Sequence, residues 1–211
     1  MQVKEGELIV RAPLRLSPKS IDDFIASKSR WIQRTFEKAR VRKRDFRCVA
    51  GEKIPCLGED REISIVKESR SSVSLAKGLI KVRPDKANTA KSLINDFYRE
   101  LTKKYVLEYI KKHKAILGDN RPSLCFKFYR SKWGSCSARN TLSFNAALAG
   151  ASKEAIEYVV VHELIHLKSK SHSRKFWQEV GRVLPDYKTR KKWLKDNLSD
   201  FCDAFGRSAT L

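Results

Sequence analysis

The chain has 211 residues, with 45 Lys and Arg against 24 Asp and Glu, a formal net charge of +21 and a pI near 10.0. That length can bury a sizeable core, and the charge implies attraction to polyanions such as nucleic acid or nucleotides. No run approaches the ~18 apolar residues of a membrane span, which excludes a membrane-spanning role and predicts no membrane partner. The five cysteines (Cys48, Cys56, Cys125, Cys136, Cys202) are scattered without a Cys-x-x-Cys pair. Together with an amino terminus lacking a signal-like apolar core, they predict a cytoplasmic protein without a disulfide framework.

Residues 2–16 read as extended segments around a Glu5-Gly6-Glu7 turn. Ser20 is placed to cap a helix carrying Ile21, Phe24, Ile25, Trp31, Ile32 and Phe36. This helix leads into the densest basic tract, in which Arg40, Arg42, Lys43 and Arg44 are candidate contacts to a nucleic-acid backbone, although a solvated helix face gives the same pattern. From about 48 to 83 the pattern alternates as strands: Ile63 and Ile65, Val73 and Leu75, Ile80 and Val82, with turns at Gly51, Gly58 and Gly78. A β-rich portion with one basic helix over 1–86 and a second domain over 87–211 are therefore expected.

Leu93, Phe97, Leu101 and Tyr105 recur every fourth residue and predict a long helix from Asn88 to about Leu117. His113, among Lys111, Lys112 and Lys114, reads as exposed. Residues 124–130 and Thr141 to Ala147 read as strands of a hairpin around an Arg139-Asn140 turn. An exposed edge here would pair with an extended peptide, and Arg130, Lys132, Trp133 and Asn145 are candidate substrate-binding residues. Trp133 also serves as simple packing against the next helix.

That next helix carries the most informative pattern: His162-Glu163-Leu164-Ile165-His166, then His172. Residues four apart share a helix face, so His162 and His166 can address one ion while Glu163 lies beside it. Ala155, Ile156, Val159, Val160, Val161, Leu164 and Ile165 make the helix apolar on nearly every side, so the histidines are buried and need a partner. One Zn2+ per chain is expected, with Glu163 as general base toward metal-activated water. His172 is the favoured third ligand and Glu179 its rival. The spacing to His172 is that of metzincins, but Ser169 stands at their mid-loop glycine, and a methionine turn is impossible because the only methionine is Met1. Farther on, Phe176, Trp177, Val180, Val183 and Leu184 form a core stripe ending at Pro185. Asp186 reads either as a helix cap or as a group orienting a ligand histidine.

Arg130-x-Lys132-Trp133-Gly134-Ser135-Cys136-Ser137, Leu142-x-Phe144-Asn145, Tyr158 to Leu167, His172-Ser173-x-x-Phe176-Trp177 and Pro185-Asp186-Tyr187 resemble, in this order, the YgjP-like metallopeptidase family. One departure is Phe144-Asn145-Ala146, where members often carry Leu-Asn-Trp. The resemblance implies an α+β fold with a zincin-like catalytic domain, a small antiparallel sheet and the His-Glu-x-x-His helix. It also implies His162, His166 and His172 as zinc ligands, Glu163 as base, a peptide or protein substrate, and kinship with SprT-like and WLM-type proteases that act near DNA. Some members carry the name UTP pyrophosphatase, so a metal-dependent nucleotide hydrolase is the alternative expectation, and a nucleic-acid-associated protein with a structural metal is a third.

Overall fold

In the computed structural model, which describes every residue except 5–6, 14, 42–45, 67–69, 86–88, 130 and 206–211, the chain divides into two units, Met1–Arg44 and Asp45–Leu211. The first holds an antiparallel pair, β1 (Gln2–Lys4) and β2 (Glu7–Ile9), with Val3 opposite Leu8. Two helices follow, α1 (Pro18–Ser27) and α2 (Ser29–Val41). The cap of α1 is Ser17 rather than the expected Ser20: its Oγ accepts from the Ser20 amide, and Pro18 fills the first turn, where no amide donor is needed. Lys28 leaves helical geometry, so the single expected helix is two.

The second unit begins with β3 (Lys53–Cys56), β4 (Glu59–Ile65), β5 (Ser72–Ala76) and β6 (Leu79–Arg83), in sheet order β3-β4-β6-β5. Both tight hairpins have two central residues at positive φ, Leu57-Gly58 and Lys77-Gly78. That is the turn geometry matching strand twist. The β3–β4 turn also docks: the amides of Leu57 and Gly58 donate to the carbonyls of Ala149 and Gly150. Through this contact the sheet packs against the turn that leads into the His-Glu-x-x-His helix, within the second unit.

Next come α3 (Ala90–Lys112), capped by Thr89, and the short α4 (Lys114–Leu117). The long helix expected to Leu117 is interrupted at His113. Buried Ile94, Tyr98, Thr102, Tyr105, Val106 and Tyr109 follow the three-and-four spacing of one helix face. Tyr98 donates to the Pro55 carbonyl and Thr102 to that of Ala146 at 2.8 Å, tying α3 to β3 and to the 3₁₀ turn that begins at Ala146.

The second sheet contains β7 (Leu124–Lys127), β8 (Gly134–Cys136) and β9 (Leu142–Asn145), in order β7-β9-β8. The expected strands do pair, but β7 and β9 run parallel. The connection between them contributes β8, antiparallel to β9 around the Arg139-Asn140 turn. β8 thereby becomes an edge strand. A 3₁₀ turn at Ala146–Gly150 leads into α5 (Lys153–Ile165), then α6 (Arg174–Val183) and α7 (Tyr187–Phe205).

Helix α5 is the central element, packed on α3, α6, α7 and β8. Ser152 caps it, accepting from the Ala155 amide. Fully buried Ile156, Val160, Val161 and Leu164 each contribute about 2 kcal/mol of apolar burial. Its one buried charge before the motif, Glu157, accepts from Lys112 at 2.6 Å, His113 at 2.9 Å and Arg190 at 2.7 Å. His113 is therefore no exposed bystander; it helps fasten the end of α3 to α5. Burial pushes the Glu157 carboxyl up, but the hydrogen bonds from Lys112, Arg190 and His113 outweigh it and hold the carboxyl at about 2.

Candidate metal centre

His162 lies in the last turn of α5 and His166 immediately follows it, one turn farther on the same face. Continued helix would carry the chain away. Instead it turns through Leu167 and Lys168, and the His166 Nδ1 donates to the Ser169 carbonyl at 2.8 Å. That bond fixes the tautomer and leaves the His166 Nε2 lone pair bare. The turn delivers His172 just before Ser173, the cap of α6.

The three Nε2 atoms form a nearly equilateral triangle: 3.2 Å between His162 and His166, 3.1 Å between His166 and His172, 3.0 Å between His172 and His162. A single N–H···N bond can satisfy one side of such a triangle, not all three. Tetrahedral zinc with Zn–N bonds of about 2.0–2.1 Å sets its nitrogens about 3.3 Å apart, close to the spacing found. The Phe176 ring, fully buried, lies 4.5–4.9 Å from all three imidazoles and backs them with an apolar floor.

The electrostatics agree with a cation-binding role. Burial, then His166, His172 and Lys191, lowers the His162 pKa to about 3. Burial, His166 and Lys191 lower that of His172. Both rings are thus neutral ligands near pH 7, as metal binding requires. Glu163 is 4% exposed, and burial pushes its carboxyl up to about 8 against the opposing charge of Lys132. Its Oε2, like the His162 Nδ1, is buried without a hydrogen-bond partner among the described residues. A divalent cation beside these groups would restore the carboxylate. The residues present fit the ion.

Gly134 of β8 makes room for that carboxylate. A Cβ there would stand 2.7 Å from Glu163 Oε1 and 2.8 Å from its Cγ. Sequence reading missed this role, although a glycine inside a strand signals close approach of another group.

The remaining candidates sort by position. Lys132 Nζ donates to Ser135 Oγ at 2.8 Å and sits 4.5 Å from the Tyr129 ring centroid. Trp133 and Asn145, the other expected substrate contacts, both make internal hydrogen bonds. Trp133 is buried, its indole donating to the Leu194 carbonyl. Asn145 has no exposure: its amide donates to the carbonyls of Tyr129 and Lys132, and its Oδ1 accepts from the Ala147 amide. It pins the loop before β8. Glu179, the rival ligand, is paired with Arg182 at 2.7 Å, and Asp186 is engaged by Arg190 at 2.9 Å. Phe176 is core as expected, whereas Trp177 is only half-buried. Arg130, Arg42, Lys43 and Arg44 lie outside the described residues, and of Arg40 only the backbone, within α2, is described. Among the described residues no helix is long and apolar enough to cross a membrane.

Residues 1–197 match the family model described as YgjP-like, metallopeptidase domain. No curated protein matches the chain. Among solved structures, the metallopeptidase zymogen abylysin of Pyrococcus abyssi is 28% identical with a TM-score of 0.40, covering 44% of this chain and 94% of its own. Jannalysin of Methanocaldococcus jannaschii, also a metallopeptidase zymogen, is 23% identical with a TM-score of 0.40, covering 46% of this chain and 96% of its own. These structural likenesses are too slight to transfer any detail.

Proposed function

The chain belongs to the YgjP-like metallopeptidase family, and from that premise we propose that it is a zinc-dependent peptidase in which Glu163 is the general base. The observation carrying this reading is the triangle of Nε2 atoms on His162, His166 and His172, with a buried carboxylate on the adjoining residue. Three neutral imidazoles suit zinc better than magnesium, which prefers oxygen ligands. When bound, zinc supplies a Lewis acid that polarises a carbonyl and acidifies water.

The protein's own groups do the rest. The Ser169 carbonyl keeps His166 in the tautomer that presents Nε2. Phe176 excludes water from behind the rings. Glu163 takes the proton of the attacking water and passes it to the departing amine; Gly134 leaves the space in which its carboxylate sits. The edge of β8, next to α5, receives the substrate as an added strand and lays its carbonyl toward the histidines. Asn145 holds the Tyr129 and Lys132 carbonyls beside that edge, and Lys132 is close enough to Glu163 to act on its charge. Glu163→Gln tests the assignment: metal retained with hydrolysis of an unfolded protein reduced about 10²–10⁴-fold supports it, and hydrolysis retained at the wild-type rate refutes it.

A further inference from the structure

Helix α7 carries Lys188, Lys191, Lys192 and Lys195, spaced i, i+3, i+4 and i+7 and therefore on one face. With Trp177 and Tyr187 they line a cavity of about 460 Å³. Like charges at this spacing repel one another. Several other cations of this unit are paired with carboxylates: Arg190 with Glu157 and Asp186, Lys112 with Glu157, Arg182 with Glu179. Among the described residues none of the four cavity lysines has such a partner. Lys191 Nζ lies 3.9 Å from the Trp177 ring centroid.

The cavity adjoins the metal centre through a stack of rings. His172 stacks on Trp177 at 5.5 Å between centroids, and Trp177 on Tyr187 at 5.6 Å. These two steps span at most about 11 Å, the length of about three residues of extended chain. The influence of Lys191 on His162 and His172 reflects the same proximity.

We infer that this cavity is a specificity subsite for an acidic substrate side chain, an Asp or Glu within about three residues of the scissile bond. The inference rests on the peptidase reading and extends it to a substrate class. Carboxylates are the anions that an extended peptide brings to the cavity. Trp177 and Tyr187 provide apolar walls for the methylenes of such a side chain. No arginine fork lines the cavity, as a dedicated phosphate site would favour.

The test uses the full-length chain carrying Glu163→Gln, loaded with zinc, and fluorescence anisotropy of a dye-labelled peptide containing three glutamates or, in its counterpart, three glutamines. Binding of the acidic peptide about tenfold tighter, a preference abolished by Lys191→Glu with Lys195→Glu, supports the subsite. Equal binding of both peptides, or a preference untouched by the lysine changes, overturns it. So does displacement of the acidic peptide by inorganic triphosphate at concentrations well below those of unlabelled peptide, which reassigns the cavity to phosphates. Turnover by the wild-type protein separates the two readings. Equal cleavage of both peptides leaves a peptidase without this subsite, whereas zinc-loaded protein that cleaves neither removes the peptidase reading itself.

Discussion

Replacing Gly134 by alanine adds one methyl group to the wall against which Glu163 rests. The new Cβ would lie 2.7 Å from Oε1, 2.8 Å from Cγ and 3.0 Å from Cδ of Glu163, where ordinary contact begins at 3.4 Å. The shortfall at Oε1 and Cγ is about 0.6–0.7 Å. Helix α5 cannot retreat by that amount, because the adjoining Leu164 and Ile165 are buried in the core. The carboxylate must therefore swing. A displacement approaching 1 Å at a catalytic group costs about 10²-fold in rate. Overpacking of about 1–3 kcal/mol lowers Tm by about 2–10 °C for a chain of this size. Gly134 does not occupy positive φ, so backbone strain does not confound the change. Steady-state hydrolysis of an unfolded protein, zinc content by atomic emission and thermal unfolding are measured together. The expected outcome is kcat down about 10²-fold with one zinc retained. Full activity would refute the steric reasoning, and zinc loss in step with activity would mean that the methyl acts on the histidines instead.

Three further outcomes follow from the geometry. His172→Ala should weaken zinc affinity by more than about 10²-fold, since loss of a supporting group alone costs about 10–100-fold. Glu179→Ala should leave affinity unchanged because Glu179 is occupied by Arg182; isothermal titration with zinc compares the two. Glu157, held at about 2 against its ordinary 4.5, binds protons more readily when the chain is unfolded. Its contribution is therefore complete above about pH 4.5 and disappears as pH falls toward 2. Exposure of Lys112 reduces this contribution to about 1–2 kcal/mol. Urea unfolding of Glu157→Gln across this window should converge on the wild type at low pH, and a constant difference would show that packing, not charge, is responsible. Chelation should lower Tm by about 5–10 °C where free zinc had been 100-fold above its Kd, and an unchanged Tm would argue against a site formed only in the folded chain.

The clustering of His162 and His166 was the most legible part of the sequence, because a four-residue spacing on an apolar helix puts both rings on one face. His172 was legible as a scarce residue after a helix-ending Ser-Lys loop. Local periodicity also revealed α3, the hairpin turns at Gly58 and Gly78, and the strands on either side of the Arg139-Asn140 turn. The direction of β7 relative to β9 was hidden: alternation gives the faces of a strand, not its partner, and β8 is only three residues long. The role of Asn145 was also hidden, since a buried amide pinning a loop and an amide touching substrate look alike in one dimension. His113 was misread because its partner Glu157 lies 44 residues away. The place of the α7 lysines beside Trp177 and His172 needed the tertiary packing.

The most direct test is metal content of the purified protein coupled to hydrolysis of an unfolded protein and of UTP, each beside Glu163→Gln. A zinc peptidase with Glu163 as its base requires one zinc per chain in both proteins and proteolysis only in the wild type. Glu163-dependent hydrolysis of UTP without proteolysis, or purification without chelators yielding no bound metal, would contradict it.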